Sequence, residues 1–166
     1  MRWIPACAAG VISAAFAISL AGQSRTAEGS DAKRFIGTWR LVGITQGNRQ
    51  LDPNRGAHPT GLIYHDSTGH MAAQIMADQT LRRRFVAEQP TGNEAQQALR
   101  TYTAYFGTYT VDERTHTVTH HREGHINPGA LGDFVRRYEF LPDGSVVLTP
   151  VENPNENRIV WQRIGT

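Results

Sequence analysis

From Phe35 to Ile164 the chain is written in short segments that alternate apolar and polar side chains, each closed by Gly, Pro, Asn or Asp. Period two sends successive side chains to opposite faces of a strand, so this pattern constrains the fold more tightly than any single motif. The segments are Phe35 to Ile44, Leu62 to His65, His70 to Met76, Tyr105 to Val111, Thr115 to Glu123, Phe134 to Leu141, Ser145 to Thr149 and Arg158 to Ile164. Asp66-Ser67-Thr68-Gly69 and Pro142-Asp143-Gly144 have the composition of hairpin turns. Asn93 to Arg100 lacks the alternation and is rich in helix formers, which predicts a short helix. Gln46 to Gly61 and Pro150 to Asn157 read as loops. A meander of local hairpins hides its edges by closing on itself. The expected fold is all-β: an eight-stranded antiparallel up-and-down β-barrel with a short helix between strands.

The residues before Phe35 are a different object. Between Met1 and Ala21, 16 of 21 positions are apolar and the only charge is Arg2. A basic start, an apolar middle and small residues around Ser19-Leu20-Ala21 are the marks of a secretory signal cleaved after Ala21. The alternative is an uncleaved anchor, since an apolar run of about 18 residues sits at the lower limit for crossing a bilayer. Lipid attachment would need Cys after Leu20-Ala21-Gly22, where Gln23 stands. The expected organisation is a signal over 1–21, a flexible leader over 22–34 and a barrel domain over 35–166, in a periplasmic or secreted protein with no stable membrane span after cleavage. The single Cys, Cys7, falls within the signal, so the working chain is expected to be free of thiols and disulfides.

Charge narrows the partners. Seventeen Lys and Arg stand against 15 Asp and Glu, a formal +2. A dedicated nucleic-acid binder needs a larger positive surplus, so none is expected as a partner. Arg82-Arg83-Arg84 reads as a solvated basic run.

Several short motifs carry a resemblance. Gly37-Thr38-Trp39 on the first strand, with Arg163 near the end of the last, resembles the lipocalin pattern. There the Trp ring plugs the barrel base and the Arg lies across it, which implies structural roles for Trp39 and Arg163. Further matching segments are Pro59-Thr60-Gly61-Leu62-Ile63-Tyr64, Gly69-His70-Met71, Tyr105-Phe106-Gly107-Thr108-Tyr109, Val118-Thr119-His120-His121, Asn127-Pro128, Arg136 and Trp161-Gln162-Arg163. In this order they resemble the bacterial and fungal lipocalin-like domain family, over roughly Phe35 to Arg163. The resemblance implies a barrel; it assigns no reaction.

Alternation then sorts side chains by face. One face carries Phe35, Gly37, Trp39 and Leu41; others carry Met71, Ala73 and Ile75, or Tyr105, Gly107, Tyr109 and Val111. His116, Val118, His120 and Arg122 form another set, as do Phe134, Arg136, Tyr138 and Phe140. With Tyr64 assigned inward beside Leu62, the candidate ligand-binding residues are Tyr64, Tyr105, Tyr109, His120, Arg122, Arg136 and Tyr138. An apolar body with a few placed polar groups is the make-up of a small-molecule site. The planar fork of Arg136 suits a carboxylate or enolate.

Three functions fit. The first is binding of a small, mostly apolar or amphipathic molecule in the barrel. The second is a cofactor-independent isomerase or cyclase using His, Tyr and Arg on a carbonyl compound. The third is a structural module with a filled core. No Gly-x-Ser-x-Gly elbow, phosphate loop or dinucleotide fingerprint is present, so no cofactor is expected. His121 and His125 lie about 13 Å apart along a strand, too far to share a zinc ion. No metal is expected, although a long-range pairing with His65 or His70 stays open.

Overall fold

The structure, a computed structural model, describes residues 30–45, 51–82, 84–153 and 157–165. The expected signal over 1–21 lies outside them. A helix α1 (Ser30–Phe35) is followed by strands β1 (Gly37–Thr45), β2 (Thr60–His65) and β3 (His70–Met76), then helix α2 (Gly92–Arg100). Strands β4 (Tyr102–Asp112), β5 (Thr117–His125), β6 (Gly132–Phe140), β7 (Val146–Pro150) and β8 (Arg158–Ile164) complete the chain. Each strand pairs antiparallel with the next, and β8 returns to β1, closing an eight-stranded barrel. Among the described residues no helix is long and apolar enough to cross a membrane.

Hairpin chemistry sets the registers. The Asp66 carboxylate accepts from the backbone N–H groups of Thr68 and His70, and Gly69 adopts φ +92°, which favours glycine. That turn fixes His65 opposite Met71. Thr91 and Glu94 cap each other's backbone at the start of α2, where the sequence had placed a helix.

Two bulges change which side chains point inward. The β1–β8 register shifts between Leu41 and Gly43, so Trp39 and Leu41 are buried, Val42 is exposed, and Ile44 is buried again. On β5 the partner of Gly107 is Arg122 while that of Phe106 is Gly124, leaving Glu123 unpaired. The inward face therefore runs Val118, His120, Arg122 and then His125, which sits opposite the buried Tyr105.

The base is closed from the N-terminal side. Residues from Ser30 onward, expected as the end of a flexible leader, instead form α1. Ala32 and Phe35 are buried there, because a barrel this wide needs apolar side chains under it. Trp39 Nε1 donates to the Phe35 carbonyl at 2.8 Å, and the Arg163 guanidinium lies 4.3 Å from the Trp39 ring centroid. Arg163 also donates to the carbonyls of Ile36 and Arg34. The base contact implied by the resemblance is present. The four longer connections gather at the opposite end, the mouth.

Candidate functional site

The interior is mostly apolar: Leu41, Ile63, Met71, Ile75, Leu148 and Trp161 belong to one buried cluster. Within it stands a group of polar side chains. His65 on β2 and His120 on β5 are both fully buried, with ring centroids 5.7 Å apart. The Tyr105 hydroxyl lies 3.0 Å from His120 Nδ1. Arg136, also buried, stands near enough for its charge to act on the same hydroxyl. Toward the mouth, the Arg136 and Arg122 guanidinium carbons lie 4.2 and 4.8 Å from the centroid of the Phe134 ring. His125 stacks on Tyr105 at 5.7 Å.

A phenolic hydroxyl both donates and accepts, so Tyr105 and a neutral His120 pair in either sense: the hydroxyl donates to Nδ1 when Nε2 carries the proton, and accepts from Nδ1–H when Nδ1 does. His120 Nε2 and both ring nitrogens of His65 are buried and have no hydrogen-bond partner.

Electrostatics keeps these rings neutral. Burial lowers the His65 pKa to about 3. His120 is held well below its ordinary value, first by burial and then by the positive charges of its neighbours, Arg136 and Arg122 included. Burial raises the Tyr105 hydroxyl pKa, opposed by the same two arginines. The interior field is thus positive, set by two cations beside neutral donors.

Four expected site residues meet here: Tyr105, His120, Arg122 and Arg136. Tyr109 lines the interior beside His65, at 4.7 Å between ring centroids, but its hydroxyl donates to the Asp66 carbonyl at the base turn. Tyr138 belongs to the base: its hydroxyl donates to Asp31 Oδ2 at 2.9 Å, and its ring packs edge-on against Phe35. Tyr64 is a correction. It is 47% exposed on the outer face with Leu62, while Ile63 and His65 point inward. His116 is a second correction, exposed in the β4–β5 turn with φ +51° instead of on the inward face. His65, Phe134 and His125, which are not in the expected ligand-binding set, also stand in the site. The signal for His65 was its hairpin register opposite Met71, whose inward face was readable.

The long-range pairing of His65 with His120 does form, yet no group of three His, Cys, Asp or Glu able to hold a metal exists among the described residues. Two clefts lie outside the barrel. One cleft of about 540 Å³ is lined by Leu81, Arg82, Phe85, Val86, Glu94 and Gln97. Another of about 430 Å³ includes Arg40, Leu62, Gln74 and Tyr102, where β1–β2 pairing ends at Arg40 and Leu62.

A closed up-and-down barrel, its base plugged by a Trp under an Arg and its interior holding a buried polar cluster, defines the architectural class. The family model for the lipocalin-like domain matches residues 36–164, and the chain belongs to that family. Among curated proteins none matches the chain. Among solved structures, a redesigned beta barrel is similar at 11% identity, with a TM-score of 0.38 over 80% of this chain and 94% of that one.

Proposed function

We propose that this lipocalin-like barrel binds a small, largely apolar molecule in its interior, with one polar group of that molecule at His65 and His120. The carrying observation is the set of three buried ring nitrogens without partners inside an otherwise apolar barrel. Each unsatisfied polar atom costs roughly 1–3 kcal/mol, and a whole domain is stable by only about 5–15 kcal/mol. A guest that completes these bonds recovers that cost and gains the burial of its apolar body. Exposed Leu51, Ile126, Leu131 and Val151 on three mouth connections give an apolar rim through which such a molecule can enter. The composition of residues 1–21 supports export, so we place this binding outside the cytoplasm.

The neutral apolar dye N-phenyl-1-naphthylamine tests the reading, because Trp39 and Trp161 are buried donors for energy transfer to an interior dye. Saturable dye emission with quenched Trp emission is expected, and Ala73→Leu, which adds bulk to the buried face opposite Tyr105, should weaken it at least about tenfold. Non-saturating uptake, or saturation that Ala73→Leu leaves unchanged in a folded protein, counts against interior binding.

A further inference from the structure

The polar cluster also specifies what kind of group it receives. Resting on interior binding, we propose that the site takes an acidic hydroxyl, an enol or a phenol on an apolar body, and binds it as its anion. Three features carry this.

The donors are single-point. In this proposal Tyr105 donates to His120 Nδ1, so that the unpartnered Nε2 presents its N–H. His65, neutral, carries one N–H whichever tautomer it adopts, and neither of its nitrogens is engaged. Two separate N–H donors suit one oxygen, in the manner of an oxyanion hole.

The field is positive. Arg122 and Arg136 flank Phe134 at 4.8 and 4.2 Å. The other ionisable groups facing the cluster are His65 on β2, Tyr105 and Tyr109 on β4, and His120 and His125 on β5. Strands β1, β3, β7 and β8 contribute apolar or Trp side chains to the core. The carboxylate of Asp31 reaches inward only at the base, to Tyr138.

The surroundings are dry, since His65 and His120 are fully buried. In a low-dielectric interior the attraction of fixed donors and cations for a developing oxyanion is strengthened. On binding, the O–H bond of the ligand breaks heterolytically; the electron pair stays on oxygen and the proton passes to bulk water.

The test compares 4-nitrophenol with 4-nitroanisole, the same body with its acidic hydrogen replaced by methyl. Only the phenolate absorbs in the visible. Bound 4-nitrophenol is expected to ionise about one pH unit or more below the free compound, a tenfold or greater preference for the anion. 4-Nitroanisole should bind at least about tenfold more weakly at neutral pH. Arg136→Met should erase most of the shift; if that variant does not fold, Arg122→Met at the half-buried rim gives the same readout. A bound nitrophenol that titrates at or above its free value, or a nitroanisole that binds equally well, overturns the anion assignment while interior binding stands. If neither these compounds nor N-phenyl-1-naphthylamine binds, interior binding itself fails and the assignment with it.

Discussion

The Tyr105 hydroxyl stands 3.0 Å from His120 Nδ1, linking adjacent strands β4 and β5 inside the barrel and tying the proton on His120 to the orientation of that hydroxyl. Tyr105→Phe removes that link and leaves His120 Nδ1 buried without its partner. The expected cost is about 1–3 kcal/mol, the penalty for orphaned buried polar groups. Urea unfolding of the two proteins at pH 7 checks it; equal stabilities would mean that the hydroxyl is not part of a satisfied network.

His65→Leu should behave in the opposite way. Its ring nitrogens have no partners to lose, so at pH 7 a leucine of similar volume is expected to leave stability unchanged or raise it by about 1 kcal/mol. A loss above about 2 kcal/mol in the same assay would assign His65 a structural bond.

Acid should destabilise the native barrel through these histidines. The folded pKa of His65, about 3, lies below its unfolded value of 6.5, so the unfolded chain takes up a proton that the folded one refuses. The stabilisation is fully present above pH 6.5 and is lost as pH falls from there toward 3. Between pH 7 and pH 5 the His65 share is about 2 kcal/mol. His120 acts in the same direction. His65→Leu should therefore flatten the fall in stability over this range, read from unfolding midpoints at several pH values. An identical pH profile in the variant would show that His65 is not buried as a neutral ring.

At the base, Arg163→Met keeps much of the side-chain length but removes the guanidinium from Trp39 and from the carbonyls of Ile36 and Arg34. A loss of about 1–3 kcal/mol is expected, with a red shift in Trp emission as water gains access. No change in melting temperature would remove Arg163 from the base plug.

Gly107 marks the bulge that steers His125 inward. A Cβ placed there would stand 2.0 Å from the backbone oxygen of His121. Gly107→Ala should cost about 2–4 kcal/mol, because backbone on the neighbouring strand must shift. A folded variant of native stability would contradict the close β4–β5 approach.

The barrel was legible because strand alternation and turn composition repeat eight times, and because closure is the natural end of such a meander. Face assignment was harder. Thr60–His65 carries apolar residues on both faces, Leu62 and Tyr64 against Ile63, so period two defines the two sets without saying which is inside. Burial answers it: Leu62 and Tyr64 share the outer surface with exposed Phe106, and His65 turns in. Bulges at Val42 and Glu123 reverse parity within a strand, which no alternation rule anticipates. On β4 and β6, which run without an internal shift at the relevant positions, Tyr105, Tyr109 and Arg136 were placed correctly. Tyr138 faces inward as expected but meets Asp31 from α1, a helix in a stretch whose small polar residues carry no helical pattern.

The most direct measurement is the ¹⁵N resonance pattern of the histidine rings, followed through proton-coupled NMR while N-phenyl-1-naphthylamine or 4-nitrophenol is added. Interior binding requires that His65 and His120 be neutral near pH 6, and that both rings shift on addition while exposed His70 and His116 do not. Saturable binding that leaves the His65 and His120 signals unmoved would place the molecule in an outer cleft and contradict an interior site.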